Sequence, residues 1–127
     1  MKLIKQSCVV VVVVVVVALL IFACEDIKQN KLIVGNWVGA EWLVGGTPSA
    51  ANPKNTTFSF TDKGDYVYNN SGVTEKGTFR VSESKLFTTP DGQQEMAVGI
   101  TKLTTDSLVF QMNRGGQLET LTLIKQK

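Results

Sequence analysis

Apolar and polar residues alternate in eight short runs after residue 35. In the run 95–102, Met96, Val98 and Ile100 fall on one face of an extended strand, and the residues between them fall on the other. A period of two predicts β-strands that each bury one face. The predicted strands are 36–44, 56–60, 66–69, 75–81, 85–89, 95–102, 107–113 and 117–125.

Short polar connections separate most of these runs and supply the glycines that hairpin turns need. The turn dipeptides are Lys63-Gly64, Ser71-Gly72, Asp91-Gly92 and Gly115-Gly116. None of the connections is long enough for a crossover helix, so successive strands should be antiparallel neighbours. An all-β meander of eight strands can remove both of its edges by closing into a single up-and-down barrel. A two-sheet β-sandwich has the same alternation and is the alternative.

The first strand contains one irregularity. Trp37 and Trp42 are five residues apart and therefore have opposite parity, although both are too large to leave in water. Gly39 lies between them, and an isolated glycine in a strand often marks a bulge. A bulge at Gly39 would turn both indoles inward and leave Glu41 on the outer face.

The first 23 residues differ from the rest of the chain. Lys2 and Lys5 precede an uncharged stretch, 8–23, that contains nine successive valines. A basic start, an apolar middle and a small final residue are typical of a cleaved secretory signal peptide. The stretch is shorter than the roughly 20 apolar residues that a membrane-spanning helix needs.

The composition of the chain excludes several kinds of binding, catalytic and metal site. The chain has 13 Lys+Arg and 11 Asp+Glu, and without Lys2 and Lys5 the remainder has 13 − 2 = 11 basic residues against 11 acidic ones. A neutral domain lacks the basic patch of a nucleic-acid-binding protein. The absence of histidine, and of cysteine after Cys24, excludes His-based catalysis, Ser-His and Cys-His dyads and His or Cys zinc sites. We therefore expect no enzymatic activity, no cofactor and no metal.

The residues at the end of the leader, Ile21-Phe22-Ala23-Cys24, resemble the lipobox of bacterial lipoproteins. The resemblance implies cleavage before Cys24 and attachment of lipid to its sulfur. It also implies anchoring to the outer membrane of a bacterial cell envelope, on the periplasmic face or the cell surface. Residues 24–34 would then be the lipidated cysteine and a polar tether, with one helical turn at 31–34.

The domain at 35–127 resembles the short lipocalin-like lipoproteins of Bacteroidetes. Gly35-Asn36-Trp37 opens the first strand in the way that the Gly-X-Trp motif opens lipocalins. The resemblance implies that Trp37 fills the closed base of the barrel. Lipocalins place an arginine over that tryptophan, and here Lys125 is the residue that could replace it.

The resemblance also implies a ligand site at the open end of the barrel. Trp42, Tyr66, Tyr68, Phe110 and Met112 are the candidate ligand-binding residues, because their predicted faces point inward. No charged residue is assigned inward, so the ligand should be apolar or amphipathic and uncharged. The alternative is a barrel filled by its own bulky side chains.

The longest connection, 45–55, is either a lid over the open end or an exposed loop. Two functions follow from these alternatives. The first is a lipid-anchored module that binds a small apolar ligand. The second is a non-catalytic interaction module with a filled barrel, whose protein partner the sequence does not identify.

Overall fold

The structure is a computed structural model that describes residues 25–127. The signal peptide predicted at 1–23 and the lipidation predicted at Cys24 lie outside the described residues. The described chain starts in a helix, α1, at residues 25–33, and continues in strands. These are β1 Gly35–Val44, β2 Thr47–Pro48, β3 Thr56–Phe60, β4 Asp65–Asn70, β5 Val73–Ser82, β6 Lys85–Pro90, β7 Met96–Leu103, β8 Ser107–Arg114 and β9 Gln117–Lys125.

Eight of these strands form a closed antiparallel barrel. The strands β1 and β3 to β9 pair in chain order, and β1 also pairs with β9 from Trp37↔Lys125 to Val44↔Glu119. Closure leaves no free edge among these eight strands, which confirms the predicted up-and-down barrel. The sandwich alternative is wrong, because the first and last strands are hydrogen-bonded neighbours.

The bulge predicted in β1 is confirmed. The pairing with β9 shifts between Gly39 and Glu41, so Ala40 is the extra residue. Trp37 is buried and Trp42 is half-buried, while Glu41 is exposed. A Cβ on Gly39 would clash with the carbonyl oxygen of Pro53. Glycine therefore also lets the 3₁₀ turn Pro53–Asn55 approach the strand.

Helix α1 covers one end of the barrel, which we call the base. Ile33, at its last turn, is fully buried against the core, and the Trp37 indole Nε1 donates a hydrogen bond of 2.8 Å to the Ile33 carbonyl. Lys125 Nζ lies 5.3 Å from the centroid of the Trp37 ring and donates to the Leu32 carbonyl at 3.4 Å. Both side chains satisfy carbonyls that the last turn of a helix leaves free. The positive charge of Lys125 also suits the negative end of the helix dipole.

The structure explains why a glycine lies two residues before Trp37. Gly35 has φ of +136°, which L-residues rarely adopt. A Cβ at this position would lie 2.6 Å from Lys125 Cε. Glycine therefore lets the lysine cross the strand to reach the indole.

The interpretation of 25–30 as a free tether is corrected by the contacts of α1. Asn30 binds the backbone of β5 twice: its Nδ2 donates to the Val81 carbonyl at 2.8 Å, and its Oδ1 accepts from the Val81 N–H at 2.9 Å. Asp26 accepts hydrogen bonds from the Ser82 hydroxyl and from the Glu83 N–H, both at 3.1 Å. These polar side chains lie on one helix face, so the segment that reads as a solvated spacer docks on the barrel.

The opposite end of the barrel is the mouth, and the connection 45–55 lies there. Most of its residues are exposed, which agrees with the exposed-loop alternative, although part of the connection is paired with β1. The short strand β2 pairs with the end of β1, and the Ser49 N–H donates to the Trp42 carbonyl at 2.8 Å. The connection therefore continues the sheet beside β1. Across residues 25–127, no helix has the length and apolar character needed to cross a membrane.

Candidate functional site

The mouth half of the barrel contains a cavity of about 330 Å³. Each of the eight barrel strands contributes at least one residue to its wall. Leu86, Phe110 and Leu121 are buried and form its floor, whereas Met96 and Arg114 are exposed at its rim. The cavity therefore reaches solvent at the mouth, and the base below it is filled.

Aromatic rings form one side of the cavity. Phe58 is central, with its ring centroid 4.7 Å from that of Tyr68 and 5.4 Å from that of Phe110. It also stacks on Phe60, which is buried towards the base, at 5.5 Å. Because adjacent rings hold each other in offset and edge contacts, this wall is a preformed surface rather than a set of loose side chains.

A carboxylate lies beside this aromatic wall. Glu75, on β5, accepts a hydrogen bond of 2.9 Å from the Tyr66 hydroxyl. Tyr66 is almost completely buried. Burial raises the pKa of the Tyr66 phenol well above its ordinary range, and the hydrogen bond to Glu75 acts in the same direction. The phenol therefore stays protonated and keeps donating to the carboxylate.

A second carboxylate lies behind the rim. Glu119, on β9, is only 8% exposed, and its Oε1 accepts a hydrogen bond of 3.3 Å from Trp42 Nε1. Its Oε2 lies 3.0 Å from Arg114 Nε, although that oxygen accepts no well-directed hydrogen bond. The charge of Glu119 is balanced by Arg114, and the pair holds the Trp42 indole against the wall.

The expectation of an interior without charge is wrong. Glu75 has the same parity as Gly77 and Phe79, and Glu119 has the same parity as Leu121 and Leu123. Successive side chains in a strand alternate between faces, so both glutamates must point inward with their apolar neighbours. The signal was present in the alternation, but an acid near a strand end is easily assigned to solvent.

The structure separates the predicted site residues into two groups. Trp42, Tyr66, Tyr68, Phe110 and Met112 all line the cavity. Trp37 and Lys125 lie together at the base and do not. Sequence reasoning omitted Phe58, Glu75, Thr88 and Arg114 from the site, and all four line the cavity. None of residues 45–55 lines it. Within the described part of the chain, no three acidic or thiol side chains are grouped closely enough to hold a metal ion.

Comparison with known proteins agrees with this architecture. The family model for the lipocalin-like domain matches residues 33–110. Among solved structures, a lipocalin-like protein from Bacteroides uniformis ATCC 8492 is similar with a TM-score of 0.57 at 10% identity, over 75% of this chain and 99% of that one. An uncharacterized protein from Bacteroides eggerthii DSM 20697 is similar with a TM-score of 0.54 at 13% identity, over 73% and 98%. At these identities the structural likeness concerns the fold alone. No curated protein matches the chain.

Proposed function

The chain belongs to the lipocalin-like domain family, and on that premise we propose that it is a lipid-anchored envelope lipoprotein that binds one small amphipathic molecule at the mouth of its barrel. The observation that carries the proposal is the cavity of about 330 Å³ above a filled base. A barrel that served only as a rigid interaction module would gain stability from filling this space, because unfilled volume costs packing energy.

The size of the cavity limits the ligand. At about 30 Å³ for each liquid water, 330 Å³ corresponds to roughly eleven waters. A ligand of about ten to fifteen non-hydrogen atoms fits this space, which is at the lower end of the range for small-molecule sites. Retinoid-sized or sterol-sized molecules are too large to enter completely.

The interaction alternative receives little support from the outer surface. Its large exposed apolar residues are spread over α1 and four strands: Ile27, Val67, Val73, Met96, Leu118 and Ile124. Single exposed apolar residues are normal on soluble domains, and docking surfaces are contiguous. Met96 is at the rim of the cavity and fits a ligand entrance.

The proposed anchor would set the orientation of the barrel. Asp26 is hydrogen-bonded at the base turn, to Ser82 and Glu83. Cys24 is two residues earlier, so a fully extended chain separates it from Asp26 by at most about 7 Å. A lipid on Cys24 would therefore hold the base towards the membrane and the mouth away from it, where a soluble ligand can enter.

Tryptophan fluorescence tests ligand binding. We expect 4-phenyl-1-butanol, which has an uncharged head group and eleven non-hydrogen atoms, to change the emission of Trp42 below about 1 mM, since roughly 0.4 kcal/mol per atom suffices for that affinity. Trp37 is at the base and should not respond, so Trp42→Phe should remove the signal. An equal response from the Trp42→Phe protein, or no saturation with the native one, would contradict the proposed site.

The anchor has a separate test. Cys24→Ser should abolish palmitate labelling in cells and leave the precursor uncleaved, because the resemblance implies that diacylglycerol is attached to the cysteine sulfur. Cys8→Ser is the matched control and should be labelled and processed like the native protein. Labelling of the Cys24→Ser protein would show that the lipobox resemblance is misleading.

A further inference from the structure

Among residues 25–127, Glu75 is the one acidic residue that lines the cavity, and no cation pairs with it. The ion pairs in this part of the chain are Arg80–Glu95, on the outer surface, and Arg114–Glu119, behind the rim. Arg114 is thus neutralised by its own partner. The residue after Glu75, Lys76, is on the opposite face of β5 and is exposed. The cavity wall therefore carries one uncompensated negative charge.

The position of Glu75 is defined by the strand register. Phe58 is opposite Tyr68 across β3 and β4, and Tyr68 is opposite Glu75 across β4 and β5. Directly opposed residues on one face of a sheet have Cβ atoms about 5 Å apart. The carboxylate thus ends a continuous row of two aromatic rings at one level of the cavity wall.

The Tyr66 hydroxyl orients this carboxylate. Its hydrogen bond of 2.9 Å reaches Oε2 of Glu75. A carboxylate has about four lone-pair sites, so Glu75 can still accept hydrogen bonds from a ligand. Aromatic faces beside a carboxylate are the environment that ammonium groups prefer, because the ring quadrupole and the acid both attract positive charge.

We propose that the cavity is selective for a cationic amphiphile, a molecule with one ammonium group on an apolar body of about ten to fifteen non-hydrogen atoms. The ammonium would bind Glu75 beside Tyr68, and the apolar body would fill the space above Phe110 and Leu121. This inference rests on the proposed binding function, which it extends to the charge of the ligand.

Three ligands that share one body and differ in head group test the charge. They are 4-phenylbutylamine, 4-phenyl-1-butanol and 4-phenylbutyrate, titrated into the full chain in phosphatidylcholine nanodiscs and followed by calorimetry and Trp42 emission. The amine should bind at least about tenfold more tightly than the alcohol, because hydrogen bonds to charged groups are the stronger ones. The acid should bind more weakly than both.

Glu75→Gln removes the charge but keeps an acceptor for the Tyr66 hydroxyl. It should reduce the affinity for the amine about tenfold or more and leave the affinity for the alcohol nearly unchanged. Glu41→Gln removes the same charge from the exposed outer face of β1 and should change neither. All variants are measured in the same lipid, so partitioning of the amine into the nanodisc cancels.

Each outcome decides one question. Equal affinities for amine and alcohol in the native protein would refute the charge selectivity and leave the proposed binding function standing. Saturable binding by none of the three ligands would overturn both. The order of affinities in the native protein tests the charge selectivity even if the Glu75→Gln protein does not fold.

Discussion

The hydrogen bond between Trp37 and α1 is the feature of the base whose removal we expect to cost the most stability. Trp37→Phe keeps an aromatic ring in place but removes the Nε1–H that donates to the Ile33 carbonyl at 2.8 Å. Trp37 and Ile33 are both fully buried, so water cannot replace the donor without entering the core. The substitution therefore leaves a helix carbonyl without the partner that the native structure gives it.

The expected loss is the sum of three contributions. A buried acceptor left without a donor costs about 1–3 kcal/mol. The smaller ring adds about 1 kcal/mol, the low end for a buried large-to-small change. The weaker cation–π contact of a phenylalanine ring with Lys125, which lies 5.3 Å from the indole centroid, adds a few tenths of a kcal/mol. The total of about 2–4 kcal/mol is a large part of the 5–15 kcal/mol that stabilises a typical domain.

Urea unfolding and thermal melting, followed by near-ultraviolet circular dichroism, measure this loss. The midpoint of melting should fall on the order of 10–20 °C for a domain of this size. Trp42→Phe is the matched control, because it is the same chemical change at the mouth. Its indole is half-buried and donates a longer hydrogen bond, 3.3 Å, to Glu119. Its loss should be clearly smaller, and equal losses in the two variants would refute the assignment of Trp37 to a closed base.

Two further predictions concern the helix and the phenol. Asn30→Ala removes both hydrogen bonds to Val81, so hydrogen exchange of the Val81 amide should accelerate at least about tenfold. Lys28→Ala, at an exposed helix position, is the control and should leave this exchange rate unchanged. Similar exchange rates in the two variants would show that α1 does not depend on this contact. Because the pKa of Tyr66 is raised above 10.0 in the folded state, the unfolded chain releases this proton first, and the free energy of unfolding should fall as the pH rises above 10. Tyr66→Phe should make this fall shallower above about pH 10 in urea titrations, and an identical slope would exclude a role for the phenol.

Much of the fold could be derived from the chain because β-structure has a simple period. Alternation placed all eight barrel strands, with ends within two residues of those in the structure. The opposite parity of Trp37 and Trp42, with Gly39 between them, was sufficient to predict the bulge. The bulge between Ile100 and Lys102 was not predicted, although Gly99 precedes it and Ile100 and Leu103, which both pack in the core, have opposite parity.

The base could not be derived in the same way, and the interior charges were missed although the alternation carried their signal. The segment 25–33 has too few apolar residues to predict a buried helix face. It docks because Asn30 and Asp26 accept hydrogen bonds from backbone N–H groups of β5 and of the turn after it, more than 50 positions later. Glu75 and Glu119 have the parity of inward residues in their own strands, but acids near strand ends were assigned to solvent.

By itself, the sequence determined which residues share a face and that the strands are antiparallel neighbours. These properties follow from local geometry, because side chains alternate along a strand and short turns permit one pairing. Only the tertiary structure decided that the barrel closes through β1 and β9, that the mouth keeps an unfilled volume, and that Glu75 lines it without an ion-pair partner among the described residues. Volume and charge compensation are sums over residues that are distant in the chain, so they depend on how all eight strands are arranged around the interior.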